Sequence, residues 1–220
     1  LLPQAICQAK GNGKRPGSPA LLRLITQLGQ VYANNYDYPR GAVEFREATR
    51  LEPENGYAWS LLSWALGYLQ PPDAQAAERA AREAIRLQPT LFPAYYQLGR
   101  ALLLQGHYTE ALAAFKHAKE ISPTSTAPEF GIAQVYLAQS EYDKAISLLL
   151  KPPVKTNTPV VLFVLSSAYA GRGDKEKALA TLEQALAAGY RDFAAIDASP
   201  HFASLRADPR FQKLVRKNTH

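Results

Sequence analysis

The chain has 220 residues and a mass of 24.2 kDa, with 47% hydrophobic and 20% charged residues, a globular composition that leaves room for one large or two small domains and excludes a disordered chain. One cysteine, Cys7, excludes an internal disulfide framework and a cysteine-based zinc cage; the longest apolar run, Pro159 to Ala170, carries Ser166 and Ser167 and falls short of the roughly 18 residues of a membrane span. The net charge of +6 sits at the ends: residues 1–23 carry four cations and no acid, residues 191–220 carry six basic and three acidic residues, and the stretch between holds 15 basic and 16 acidic residues. A phosphate-tracking surface needs a clustered basic stripe, so this distribution argues against nucleic-acid binding.

Residues 1–20 read as an arm. An apolar start (Leu1, Leu2, Ile6) runs into a breaker-rich linker with Gly11, Gly13, Pro16, Gly17 and Pro19. The opening Leu1-Leu2-Pro3-Gln4-Ala5 reads as the tail of a removed export signal or as an arbitrary boundary, which leaves cytoplasmic and exported (periplasmic) settings open. The arm reads as a tail, or as a segment that folds back onto the body of the chain.

From residue 22 onward the sequence repeats. Gly29, Ser63, Gly99, Ala133 and Ser166 are small residues spaced by 34, 36, 34 and 33, each preceded by an aliphatic residue (Leu28, Leu62, Leu98, Ile132, Leu165). Tyr32, Leu66, Leu102, Tyr136 and Tyr169 follow three residues later. Gly41, Ala77, Ala111, Ala145 and Ala178 keep the same phase, as do Phe45, Ala81, Phe115, Leu149 and Leu182. Apolar residues at i, i+3, i+4 and i+7 predict paired amphipathic helices. Asn35-Tyr36-Asp37, Gly106-His107-Tyr108, Ser140-Glu141-Tyr142 and Gly173-Asp174-Lys175 are the expected turns between them. The second unit has two extra residues around Pro71-Pro72, which should lengthen its turn. In the fourth, Pro152-Pro153 should stop the second helix early, because proline lacks the N–H and clashes with the preceding turn.

This pattern resembles the tetratricopeptide repeat, a 34-residue helix–turn–helix unit with signature W-x₂-L-G-x₂-Y…A-x₃-F…P. Trp59-x₂-Leu62-Ser63-x₂-Leu66 opens the second unit, and Ala111-x₃-Phe115 with Pro123 closes the third. The resemblance implies an all-α, right-handed α-solenoid of about five helix pairs, over approximately 22–55, 56–91, 92–125, 126–158 and 159–190. It also implies a C-terminal helical cap over 191–220. Tyr190 just before it, and Phe193, Ile196, Phe202, Leu205, Phe211, Leu214 and Val215 within it, supply apolar anchors, and Asp208-Pro209 gives an N-cap followed by proline at the first helical position. Leu205 to Phe211 resembles a segment that closes bacterial arrays of this family.

In such arrays the first helix of each pair lines the groove. The residue after each motif aromatic, and those four and eight further on, then face inward: Thr26, Gln30 and Asn34; Ser60, Trp64 and Tyr68; Tyr96 and Arg100; Phe130 and Gln134; Phe163 and Ser167. Trp, Tyr and Arg anchor interfaces because they bury much area at low entropic cost and keep a polar handle. The clamp for a partner's C-terminal carboxylate uses Lys and Asn on these helices; here Thr26, Gln30, Leu61, Pro93 and Gln97 stand on that surface, so the expected ligand is an extended or helical segment with apolar or proline-containing anchors.

Nothing in the sequence points to catalysis. No His-Glu-x-x-His or acidic metal loop appears, and Cys7 has no obvious histidine partner. Gly11-Asn12-Gly13-Lys14 lacks the rest of a phosphate loop. His107 falls in a turn and His117 on a solvent-facing helix side, while glutamates such as Glu44, Glu78, Glu83 and Glu110 alternate with Arg and Lys as on a solvated face. No cofactor and no metal are expected. The favoured reading is a non-catalytic scaffold that binds another protein or peptide. Beside it stand an assembly or regulatory subunit that uses its arm, convex face or cap, and a basic-tailed nucleic-acid binder.

Overall fold

The structure, a computed structural model, describes residues 19–152 and 154–218. The expectations placed on residues 1–18, Cys7 and a back-folding arm among them, lie outside the described residues. Those described are all-α: twelve helices and one 3-10 helix, with no strand among them. Five helix pairs follow the repeat phase: α1 (Pro19–Asn34) with α2 (Tyr38–Leu51), α3 (Gly56–Gly67) with α4 (Ala74–Leu87), α5 (Phe92–Leu104) with α6 (Tyr108–Ile121), α7 (Ala127–Ala138) with α8 (Tyr142–Leu150), and α9 (Pro159–Arg172) with α10 (Lys175–Ala187). Helix α11 (Phe193–Ala198), a 3-10 helix (Pro200–Leu205) and α12 (Pro209–Asn218) follow. The chain divides into two compact units, one ending at Pro123 and one beginning at Thr124.

The turns inside the pairs share one geometry. Tyr36, Gly106, Ser140 and Gly173 close their first helices with φ of 63°, 77°, 60° and 89°. This left-handed conformation turns the chain back, and the next N–H donates to the carbonyl five residues upstream: Asp37 to Tyr32, His107 to Leu102, Glu141 to Tyr136, Asp174 to Tyr169, at 2.8–2.9 Å. The second pair has the longer connection its prolines predict, from Tyr68 to Asp73. The extra residues loop out, yet Asp73 still donates to Leu66 at 3.1 Å, the carbonyl equivalent to the other four. Asp37, Asp73 and Asp174 then cap their second helices, accepting from the N–H of Arg40, Ala76 and Lys177. Helix α8 has nine residues and ends just before the prolines.

In the first unit each helix packs on the next in sequence, and α3 also packs on α5. The positions kept in phase are the core: Phe45, Ala81, Phe115, Leu149 and Leu182 are all 0% exposed. Across each pair they face the small residues in a reciprocal way. Where the second helix brings phenylalanine, the first brings glycine: a Cβ on Gly29 would lie 2.6 Å from Phe45, and one on Gly99 would lie 2.7 Å from Phe115. Where the second helix brings Ala81, Leu149 or Leu182, the first carries Ser63, Ala133 or Ser166. Both serines spend their buried hydroxyls on the second helix, donating to the carbonyls of Ala77 and Ala178 at 2.7 Å. The second unit repeats the glycine–ring contact elsewhere, with Tyr142 lying over the bare backbone of Gly171.

In the second unit α9 packs on α7, α8, α10 and the 3-10 helix, and α12 packs on α10. Tyr190, Ile196, Phe202, Leu205 and Phe211 are buried in one core with α9 and α10, while Phe193, Leu214 and Val215 pack at its edge. Arg206 donates to the carbonyls of Asp197 and Ser199, and Arg191 to those of Leu186 and Tyr190, so both guanidiniums bind carbonyls at helix C-termini. Asp208 accepts from the N–H of Arg210 at the start of α12. The Arg210 side chain bridges Asp208 and Glu176 of α10 at 2.9–3.0 Å.

That bridge has a pH consequence. Hydrogen bonds from Arg210 hold the carboxyls of both Glu176 and Asp208 below their usual values. A carboxyl whose folded pKa is depressed stabilises the fold above its unfolded value, roughly 4, and loses that contribution as pH falls through the folded one. Amide-exchange protection of α12 should therefore drop faster than that of α9 as pH falls below about 4. Arg210→Gln should lower the protection at neutral pH and flatten its pH dependence. Equal slopes in the variant and the parent would contradict this.

Candidate functional site

The twelve residues expected on the first-helix faces fall into distinct environments. Asn34 and Tyr68 are exposed, and Thr26, Gln30, Trp64, Tyr96, Arg100, Phe130, Gln134 and Phe163 are half-buried. Ser60 and Ser167 are 2% and 1% exposed and correct the expectation: each hydroxyl donates back to its own helix, to the carbonyls of Tyr57 and Phe163. A small side chain at a close helix contact is covered by its larger neighbours, so neither serine presents a hydroxyl to a partner. Phe163 is likewise engaged, stacked on Tyr190 at 4.4 Å with 10° between the rings and packed against Phe202. Phe130 packs on the core of the second unit. Gln30 donates to the hydroxyl of Tyr57 on α3, 3.2 Å away.

The surface that keeps both exposure and chemistry lies in the first unit. Tyr68, 39% exposed, ends α3. Tyr38, the first residue of α2, stacks on it at 4.9 Å with 14° between the rings, and Trp64 meets Tyr38 edge-on at 6.2 Å. Arg100, from the middle of α5, places its guanidinium carbon 3.7 Å from the centroid of the Tyr68 ring. A ring has two faces; with Tyr38 on one, the cation covers the other. Tyr96, one turn before Arg100, packs on Phe115 at 5.5 Å and on Phe92 at 6.3 Å. Burial pushes the phenols of Tyr38 and Tyr96 above their usual values; nearby tyrosines add to this and Arg100 opposes it. Both therefore stay protonated hydroxyls at neutral pH.

Sequence reasoning missed Tyr38 and Tyr57. Tyr38 lies at the start of a second helix, and only the packing of α2 on α3 carries its ring to the end of α3. Its signal is positional: Tyr38, Tyr108 and Tyr142 each begin the second helix of a pair.

Three family models, all described as tetratricopeptide repeat, match residues 80–113, 102–159 and 160–188. With the repeat phase and the five helix pairs, they decide the family. The chain carries tetratricopeptide repeats. It is 32% identical over 89 residues, 40% of its length, to the human Superkiller complex protein 3. It is 25% identical over 170 residues, 74% of its length, to tetratricopeptide repeat protein 16 of Macaca fascicularis. It spans 6% and 19% of the length of these two relatives. In fold it is similar to a thermophilic tetratricopeptide-repeat protein of Thermus thermophilus, with a TM-score of 0.69 and 22% identity over 80% of this chain and 95% of that one.

The other chemistry of the tetratricopeptide-repeat chain is largely ion pairs near the surface. On the second helices Arg50, Arg82 and Arg86 pair with Glu47, Glu78 and Glu83 at 2.7–2.8 Å, as expected of a solvated face. His117 rests on Tyr95, 4.3 Å between centroids, and pairs with Glu120. Among the described residues no three His, Cys, Asp or Glu side chains are grouped to hold a metal ion, and no helix is long and apolar enough to cross a membrane.

Proposed function

We propose that this chain is a non-catalytic interaction scaffold and that the first-helix face of its first unit docks a segment of a partner polypeptide. Tetratricopeptide repeats as a class imply a protein-interaction scaffold. The observation that supports this particular face is the cluster of Trp64, Tyr68, Tyr96 and Arg100; Thr26, Gln30 and Asn34 are the polar side chains that α1 would add to it. Large rings held in place by their neighbours lose little entropy when a partner covers them, and Tyr and Arg keep donors for its backbone. Phe130 and Gln134 offer a lesser surface of the same kind on α7 of the second unit.

The test is selection of random peptides displayed on phage against the full chain, followed by titration of the winning sequences. Tyr96→Ala and Trp64→Ala should each weaken binding about 30-fold or more, the hot-spot range of 2 kcal/mol and above. Tyr68→Ala, at an exposed helix end, should do so with little change in melting temperature. Winners whose affinity survives all three changes, or no winners at all, would remove this face from the account.

A further inference from the structure

Within the docking face just proposed, and resting on that reading, one element is charged. We propose that Arg100, mounted on Tyr68, is a charge-selective subsite that takes the carboxylate of an Asp or Glu side chain from the docked polypeptide.

Three observations carry this. The first is where the chain keeps its charges. Helices α1, α3 and α5 contain no Asp or Glu, and their ionised residues are Arg23 and Arg100. The carboxylates of the described first unit sit on the second helices and the turns, where several pair with arginines. The first-helix face is thus left with cations and no internal counter-charge, and complementary potential favours an acidic partner.

The second observation is how Arg100 is held. No carboxylate lies within 4.0 Å of its guanidinium among the described residues; its polar neighbour is Gln97 Oε1, at 3.4 Å from Nη1. With its guanidinium carbon 3.7 Å from the centroid of the Tyr68 ring, Arg100 keeps a fork of N–H donors, one of which reaches Gln97. A half-buried guanidinium has shed part of its water, so a charge-assisted bond to it is stronger than one to a freely solvated arginine.

The third is rigidity. The sandwich of Tyr38, Tyr68 and Arg100 joins α2, α3 and α5, and Tyr38 is itself braced by Trp64. The cation is preset on three elements, and a planar two-oxygen acceptor matches its fork. Apolar residues flanking the acid in the partner would lie against Trp64 and Tyr96. One guanidinium with one amide beside it suits a side-chain carboxylate within a segment.

The phage-displayed peptides are fused through their C-termini, so their acidic groups near the face are side chains. The winners should be enriched in Asp and Glu. As synthetic peptides with amidated C-termini, they should bind the full chain with an affinity that falls as salt rises. Arg100→Gln should weaken binding about tenfold and flatten the salt dependence, Arg100→Lys should keep part of both, and selection on Arg100→Glu should enrich Lys and Arg instead. Winners without acidic enrichment, acidic winners indifferent to Arg100→Gln, or binding that needs a free peptide C-terminus would each overturn the subsite. If Tyr96→Ala still abolishes binding in those cases, the docking face stands without it. Binding indifferent to Trp64→Ala and Tyr96→Ala, or an absence of winners, overturns both.

Discussion

Phe115→Ala is expected to destabilise the first unit by about 3–5 kcal/mol, the range for removing a fully buried phenylalanine. The ring is 0% exposed and fills the space opposite Gly99, where the first helix of the pair offers no side chain. It also supports Tyr96, so its loss leaves a hollow directly beneath the proposed docking face. Collapse of α5 into that hollow is opposed because α5 packs on α3 and α4 as well as α6. The loss is a large part of the 5–15 kcal/mol that typically holds a domain folded. It should appear as a lower urea midpoint at unchanged slope, with amide exchange rising first in α5 and α6. A shift below about 1 kcal/mol would mean that the ring does not fill this contact as described.

Gly99→Ala is the second large effect, and its sign is the informative part. In a helix interior, replacing glycine by alanine ordinarily stabilises by roughly 0.5–1 kcal/mol. Here the new Cβ would lie 2.7, 2.8 and 2.9 Å from three atoms of the Phe115 ring. Overpacking of that kind costs about 1–3 kcal/mol, so strain exceeds the backbone gain and the variant melts lower. Gly67→Ala is the contrasting case, since a Cβ there meets Leu104 and Ala77 at 3.8 and 4.0 Å, ordinary contact distances, and the stabilising sign should return. Combining Gly99→Ala with Phe115→Leu recreates the Ala133–Leu149 pairing of the fourth repeat. The pair should be more stable than the sum of its single changes predicts, with a coupling of about 1 kcal/mol or more. A stabilised Gly99→Ala, or strict additivity, would show that glycine is not there to make room for the ring.

These two predictions draw on a regularity that the sequence displays openly. The phase of Gly29, Ser63, Gly99, Ala133 and Ser166 located five helix pairs, and the residues sixteen to eighteen further on are all at 0% exposure. The lengthened second turn and the shortened α8 were also legible, because proline acts locally and for a covalent reason. The surface was less so. Spacing alone put Ser60, Trp64 and Tyr68 in one inward-facing set, but their exposure runs from buried through half-buried to exposed along one helix. Helical periodicity reports the side of a helix and says nothing of what the neighbouring helix lays over it. Phe163 shows the same gap: its face is taken by Tyr190, which follows the last repeat helix, where the repeat phase sets no contact.

By itself, then, the sequence determined the repeat, the helices and their ends, and the partition of large against small residues in the core. Those follow from nearest neighbours along one chain, where backbone geometry and hydrophobic period act directly. The tertiary structure alone decided which rings stay at the surface and that Arg100 rests on Tyr68 with Tyr38 behind it. That arrangement joins residues 38, 68 and 100 from three helices. Its geometry depends on how α2, α3 and α5 lean on one another, a quantity fixed by the packing of the pairs and not by any one of them.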